Sequence, residues 1–471
     1  MLALHEVGAT PRDLDLLRCF YDGPYTAEFP DPNERESYAN MVTYLRAAGT
    51  HENGYHIVLA LADNRAIGGS VSDYFADSNA GVVEFILTAP EHRGSGLGTA
   101  LLRDTEGRLV ADAQRRGRDL GFIAAEINDP FRRSATPDNV DPFERAGWWD
   151  RRGYGKLDFP YVQPALSPEQ VPVRNLMLGV KLFAPSQRRA ISAPAVDVFL
   201  RDYLIHAMRI ADPASSAEYV EMSRWLGSRD DVGVISLRKY IGEDPSAGAN
   251  IHEVTGPDDQ RLPGALAVYK ASFHDPATML PSRGFRTLLV RRQRRLPFAY
   301  HLWALEKPPT MAVAGIASFF TLATAGFGGY VALVAPLRGA GVLPAVLARI
   351  ERQLIADSAD VRGWYIECAD EHTLGLFCAQ GFFEVAVPYR QPPLGLAAAR
   401  AAPVTPLLHL LYKEFGAQYA PPMLTPADFI AAMRDVFSDV YDVARPEADP
   451  TYGELAARAR AWPAVPFVSR A

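Results

Sequence analysis

Arg93, Gly94, Ser95, Gly96, Leu97, Gly98 and Thr99 combine a cation, three glycines and two hydroxyls within one short stretch. An apolar, β-branched run from Val82 to Leu87 precedes them and is stopped by Pro90; a helical pattern reaching about Arg115 follows. The order is therefore strand, glycine-rich loop, helix. Glycines let the main chain come close to a ligand, and a helix N-terminus presents unpaired N–H groups with a partial positive charge. Such a device holds an anion, above all a phosphate. The stretch lacks the Lys-Ser/Thr of P-loops and is not the GxGxxG of dinucleotide binders. A glycine turn that merely packs a strand on a helix is the alternative.

The spacing Arg93-x-x-Gly96-x-Gly98, with Pro90-Glu91 ahead of it, resembles the coenzyme A loop of the GNAT superfamily of acyl-coenzyme A dependent N-acyltransferases. The resemblance implies acetyl-CoA or another acyl-CoA as co-substrate. Its pyrophosphate would lie on Arg93 to Thr99, and its pantetheine arm along the end of the preceding strand at Leu87. It also implies transfer of an acetyl or short acyl group to an amine, on a small molecule or a peptide.

Acylation by a thioester needs a positioned amine, a base, N–H groups for the oxyanion and a proton source for the thiolate. Glu84 stands nine residues before Arg93, where many superfamily members carry a strand carboxylate facing the acceptor. Val83 and Phe85 would desolvate it and raise its pKa toward neutrality; a Glu on the solvent side of a strand is the structural reading. Glu126, on the next strand, is a second candidate. The proton donor is where the pattern departs. Trp149 holds the place of the tyrosine common in the superfamily, and Phe377 does so in the later half of the chain. Tyr161, in a Pro-Tyr-x-Gln-Pro phrase, is the remaining catalytic candidate, and Tyr25 a comparable one near the acceptor.

Positioning these groups requires the elements around them. Leu2 to Val7 reads as a strand, Pro11 to Phe20 and Asn33 to Ala48 as helices, and Tyr55 to Ala62, Ala66 to Phe75 and Val82 to Leu87 as three strands. After the loop and its helix come a buried strand Phe122 to Ile127, a helix Asp141 to Arg152, and strands near Lys156 to Val162 and Leu176 to Phe183. This is the GNAT order.

Much of the pattern then recurs. His5-Glu6-Val7 returns as His252-Glu253-Val254, and Tyr25, Phe29, Asp31 and Pro32 as Tyr269, Phe273, Asp275 and Pro276. Arg93 and Gly96 return as Arg338 and Gly341, and Glu126 as Glu367. Gly153 to Leu166 and Gly381 to Leu394 share Gly, Pro, Tyr, Gln, Pro and Leu at one constant offset of 228. The collinear order of these blocks favours duplication over chance. The expected fold is α/β with mixed sheets, in two GNAT-like domains: 1–185 with the intact loop, a helical connector 186–247, 248–416 with a degenerate loop, and a helical extension 417–471. Helical hairpins extend the correspondence, Ala193 to Trp225 and Thr425 to Trp462, and the helices of the first, Val196 to Ile210 and Tyr219 to Trp225, are expected to pack where the domains join. In the later loop Leu343 stands for Gly98. A count from Pro336 makes that loop one residue shorter and puts Tyr330 at the Glu84 position, so the second domain is expected to be non-catalytic or a poor binder.

A net charge of -7 argues against nucleic-acid binding by bulk electrostatics. Cys19, Cys368 and Cys378 are too few and too scattered for a disulfide framework or a zinc site, which fits a reducing cytoplasm. No apolar run reaches membrane-spanning length. His51 and His56 show no metal spacing, and no metal is expected. The basic cluster Arg291 to Arg295 reads as a solvated helix face, and Trp148 and Trp149 beside Phe143 read as core. The rival to a transferase is a non-catalytic acyl-CoA binding or scaffold protein with two GNAT-like folds. Acceptor, acyl length and oligomeric state stay open.

Overall fold

The computed structural model describes residues 2–30, 35–47, 52–132, 139–165, 170–183, 189–244, 248–292, 298–392 and 406–469. Asp31, Pro32, His51, Leu166, Leu394 and residues 293–295 of the basic cluster lie outside them, as do parts of the expected helix 33–48. The chain forms two units, Met1–Arg238 and Lys239–Ala471.

The first unit runs β1 (Leu2–Glu6), α1 (Pro11–Phe20), α2 (Tyr38–Ala47), β2 (Gly54–Ala62), β3 (Arg65–Phe75), β4 (Ala80–Thr88), α3 (Leu97–Arg115), β5 (Phe122–Asn128), α4 (Pro142–Asp150), β6 (Gly155–Leu157), β7 (Leu176–Leu182), β8 (Ala190–Ser192), α5 (Ala193–Asp202), α6 (Ala217–Leu226) and β9 (Asp231–Ser236). Thr10 caps α1 by accepting the Asp13 N–H, with Pro11 at the first helical position, where a missing N–H costs nothing. The sheet order is β1-β2-β3-β4-β5-β7-β6-β9-β8. Only β4 and β5 are parallel, and they pair over Ala80–Val83 against Phe122–Ala125. Beyond Val83 the pairing stops, which leaves a gap between the two strand ends.

Two expectations need correction. The strand from Lys156 to Val162 ends at Leu157 because Pro160 has no N–H for a ladder. The N–H groups of Phe159 and Tyr161 instead turn back to the carbonyls two residues earlier, at 2.9 Å each. The stretch 186–247 is only partly helical: β8 and β9 extend the first sheet. Val196, Phe199, Leu200 and Tyr203 of the helical hairpin are buried in one core with Phe75, Val82, Phe122 and Leu178. The hairpin therefore covers the first unit's own sheet.

The second unit runs β10 (Asn250–Glu253), α7 (Leu262–Ser272), α8 (Ser282–Arg292), β11 (Ala299–Lys307), β12 (Ala312–Thr321), β13 (Gly326–Leu333), α9 (Val342–Asp357), β14 (Gly363–Cys368), α10 (Glu371–Cys378), β15 (Phe383–Glu384), β16 (Tyr389–Arg390), β17 (Leu407–Glu414), α11 (Pro426–Asp435) and α12 (Pro450–Arg460). Its sheet order is β10-β11-β12-β13-β14-β17-β15, with β16 on β17 and β13–β14 its parallel pair. Phe429 and Met433 of α11 and Tyr452 of α12 sit in the core of this unit. No described helix is long and apolar enough to cross a membrane.

Candidate active site

Where β4 leaves β5 it also breaks register with β3. Val71 pairs with Phe85 and Ser72 with Val83, so Glu84 is the extra residue of a β-bulge. A bulge bends its strand and re-aims a side chain. Glu84 thereby lines a cavity of about 540 Å3 between the parted strand ends. The same cavity is lined by Leu87 and Thr88 of β4, Glu126 to Asn128 of β5, Phe29, Trp148 and Trp149, and at its other end by Arg93, Gly94 and Gly96 to Thr99.

The loop has the backbone its sequence implies. Gly94 and Gly96 lie at φ +78° and +86°, a left-handed conformation costly for other residues, and open space stands where a Cβ would project. The Gly96 carbonyl accepts from Thr99 and Ala100, which starts α3; the first N–H groups of a helix have no intrahelical partners. Arg93 is already engaged. It donates to both carboxylate oxygens of Glu28, at 2.7 and 2.6 Å, and to the carbonyls of Thr88 and Asn139. Its guanidinium braces the loop against the chain before Pro30. Ser95 Oγ donates to the His92 carbonyl at 2.7 Å, and Thr99 Oγ1 accepts from Arg152.

Arg152 opens a feature that sequence reasoning missed. A second cavity, about 470 Å3, adjoins Thr99 and is lined by Arg103, Glu106, Arg151, Arg152 and Lys181. Glu106, its carboxylate, is taken by Lys181 at 2.7 Å and Tyr154 at 3.1 Å. Arg152 lies 3.6 Å over the Trp148 ring; burial and then the charges of Arg151 and Arg103 hold its pKa below the usual arginine value. The four cations come from α3, the end of α4 and β7, which no local motif joins.

At the other end Glu84 hydrogen-bonds Asp73 of β3. Burial, then the Asp73 charge, pushes Glu84 well above the usual carboxylate range. Burial also pushes Asp73 up to about 7, against the lowering effect of the Glu84 hydrogen bond. Two adjacent carboxyls in low dielectric share protons and titrate as a pair. Glu36, held high by burial and by Glu84, lies close enough to act on both. Neither Asp73 nor Glu36 carries a sequence signal, because cross-strand register brings the one to Glu84 and the loop before α2 the other.

Glu126 accepts a hydrogen bond from the Tyr161 hydroxyl. Tyr389 and Glu367 repeat that bond, and Glu367 also accepts from Tyr441. Tyr161 is buried. Tyr25 is buried too; its hydroxyl accepts the Glu36 N–H at 3.0 Å and its ring meets Phe85 edge-on at 5.0 Å. Trp149 packs between Trp148 and Tyr154 while lining the main cavity.

The second loop keeps this backbone at one offset of 245, so it is not shorter as the count from Pro336 implied. Gly339 and Gly341 lie at φ +75° and +77°, and Arg338 Nε donates to the Leu333 carbonyl as Arg93 Nε does to that of Thr88. The proline has merely moved one place within a turn of equal length. The bulge corrects a second expectation. Ser318 pairs with Tyr330 and Phe319 with Gly328, so Gly329 is the extra residue and matches Glu84. Tyr330 matches Phe85 instead, packing on Tyr269 and Phe273 as Phe85 packs on Tyr25 and Phe29.

Residues 14–131 match the model of the acetyltransferase (GNAT) family. No curated protein matches the chain. Among solved structures, a tandem GNAT protein from the clavulanic acid biosynthesis pathway is similar at 14% identity over 89% of this chain and 100% of its own, with a TM-score of 0.27. The PaiA N-acetyltransferase of Thermoplasma acidophilum in complex with coenzyme A is similar at 12% identity over 39% of this chain and 99% of its own, with a TM-score of 0.26. Likenesses this low leave the family assignment resting on residues 14–131.

Proposed function

We propose, given that the first unit contains a GNAT acetyltransferase domain, that this unit transfers an acetyl or short acyl group from coenzyme A to an amine. The observation that carries the reading is the single cavity joining the glycine loop to the bulged Glu84. The residues fit the co-substrate. Left-handed Gly94 and Gly96 and the N-terminus of the 19-residue α3 offer N–H groups to a pyrophosphate, and the adjoining cleft of Arg103, Arg151, Arg152 and Lys181 offers cations to further phosphate. Leu87 and Thr88 at the parted end of β4 line the passage for the pantetheine arm. When bound, acyl-coenzyme A supplies a thioester carbonyl to be attacked.

Glu84 is the base, with Asp73 as its proton-sharing partner. The pair takes the proton released when the amine nitrogen bonds to the acyl carbon and the carbon–sulfur bond breaks. Trp149 has no acidic proton for sulfur, so the thiolate takes its proton from water. Glu126 and Tyr161 form a bonded pair that fixes the end of β5. The second unit, with Gly329 for Glu84 and Leu343 for Gly98, has no such base and a crowded helix start; its role is structural. Thiol release from acetyl-CoA over an amine panel tests this. Glu84→Gln should cut kcat by about 100-fold or more; unchanged release would remove Glu84 as base. The Trp at position 149 motivates the rival of a binding protein. That rival would be favoured by thermal stabilisation with coenzyme A but no turnover of any amine.

A further inference from the structure

The acceptor end of the first unit is more acidic than deprotonating one amine requires. Glu36 precedes α2, Asp73 lies on β3, Glu84 on β4 and Glu126 on β5, so three strands and a loop each send a carboxyl into one buried region. Asp73 is only 5% exposed. Apart from the proton that Asp73 and Glu84 share, its Oδ2, Glu84 Oε2 and the hydroxyl of Tyr55, which stands opposite Asp73 on β2, are out of contact with water and have no hydrogen-bond donor or acceptor among the described residues. Buried polar atoms left unpaired are costly and call for an explanation. Around them stand aromatic walls: Tyr44 and Tyr55 lie 5.0 Å apart. The one described cation acting on the cluster is Arg209, which faces Glu36 and lies over the Tyr44 ring.

We propose that the acceptor is a di- or polycationic amine: one nitrogen is acylated beside Glu84, and a second cation sits on Asp73, Tyr55 and Glu36. An ammonium satisfies the open oxygens of Asp73 and Tyr55 at once, and the Tyr44 and Tyr55 rings suit an alkyl chain ending in a cation. An acceptor with a carboxylate near its second nitrogen is repelled by the same cluster. Burial, with the charges of Glu84 on Glu36 and of Glu36 on Asp73, holds these carboxyls above their ordinary pKa values, so an arriving cation also displaces protons, as linkage demands.

This inference rests on the transferase reading, and the test keeps the two apart. Putrescine and spermidine are compared with n-butylamine, for kcat/KM with acetyl-CoA and for thermal stabilisation without it. The diamine should exceed the monoamine in kcat/KM by roughly 30-fold, the scale of a buried charge pair. Asp73→Asn and Glu36→Gln should each shrink that ratio, chiefly through KM for the diamine. Lysine amide and lysine separate cationic charge from a nearby carboxylate; the amide should be the better acceptor. The stabilisation of wild-type protein needs no variant to fold: a shift with putrescine no larger than with n-butylamine overturns the proposal. Equal turnover of mono- and diamines overturns it while leaving the transferase intact. Diamine stabilisation without turnover of any amine supports the cation site and sinks the transferase.

Discussion

Asp73 and Glu84 show how one residue inserted in a strand changes the chemistry of its neighbour. Without the bulge, Glu84 would keep the alternation of β4; with it, Glu84 turns onto Asp73, and after burial itself the Asp73 charge is what makes ionisation of Glu84 harder, while the same contact eases that of Asp73. The consequence for stability has a definite sign. Asp73 is raised from 3.8 to about 7 in the folded protein, so between those values the folded state binds more protons than the unfolded one. Stability must then fall as pH rises through that window. Asp73→Asn removes the liability, so its Tm should exceed that of the parent at about pH 8 and match it at about pH 3, below the unfolded pKa. A Tm penalty that is the same at both ends would mean Asp73 is held as a neutral hydrogen-bonding group only. The same pair gives kcat/KM an acid limb above the usual carboxylate range, and removing Asp73 should move that limb to lower pH by relieving Glu84 of its neighbour.

At the scale of elements, the strand, loop and α3 were legible because each is specified locally. Val82 to Leu87 has strand composition, Pro90 ends it, and Gly94 and Gly96 sit where left-handed backbone is required. What was not legible depends on pairing across the sheet. No local pattern reveals that Glu84 is a bulge, that Asp73 lies beside it, or that β8 and β9 join a sheet whose earlier strands are far away in sequence. The register of the second loop is hidden by a local change instead: Pro336 resembles a counterpart of Pro90, whereas the helical turn it sits in begins at Ala335. The duplicated loops also supply a clean experiment. A Cβ at Gly98 would meet Trp148 at 3.4 Å and Thr88 at 3.5 Å, ordinary contact distances, but an isobutyl group would extend into the cavity. Leu343 stands at the matching place on α9 with the loop backbone unchanged. Gly98→Leu should therefore fold with little change in Tm, yet raise KM for acetyl-CoA by about tenfold or more, a loss of at least roughly 1.4 kcal/mol of binding. Unaltered KM would place the coenzyme elsewhere.

Across the whole molecule the duplication reaches parts remote from chemistry, and there the two copies have diverged electrostatically. In the first unit His56 bridges Glu6 and Asp112 at 2.8 Å each, tying β2 to β1 and α3. In the second, His301 bridges Glu253 and Asp357 at 3.0 and 2.9 Å, tying β11 to β10 and α9. Identical geometry would suggest identical titration, but the shifts have opposite signs. Burial lowers His56, and Arg108 and Arg115 add to that while pairing with Glu6 and Asp112 themselves. Burial opposes protonation of His301 as well, yet there the hydrogen bonds to Asp357 and Glu253 prevail and the pKa rises above 6.5. The stability contributed by charged His301 is then complete below 6.5 and is lost as pH climbs through its folded value; that of neutral His56 declines as pH falls below 6.5. His301→Asn should cost more at about pH 5.5 than at about pH 8, and His56→Asn more at about pH 8 than at about pH 5.5. Hydrogen exchange read on peptides from β11 and β2 reports each unit by itself. Equal pH dependence in the two variants would show that the arginines of the first unit do not govern its histidine, and that the copies share their charge state as well as their shape.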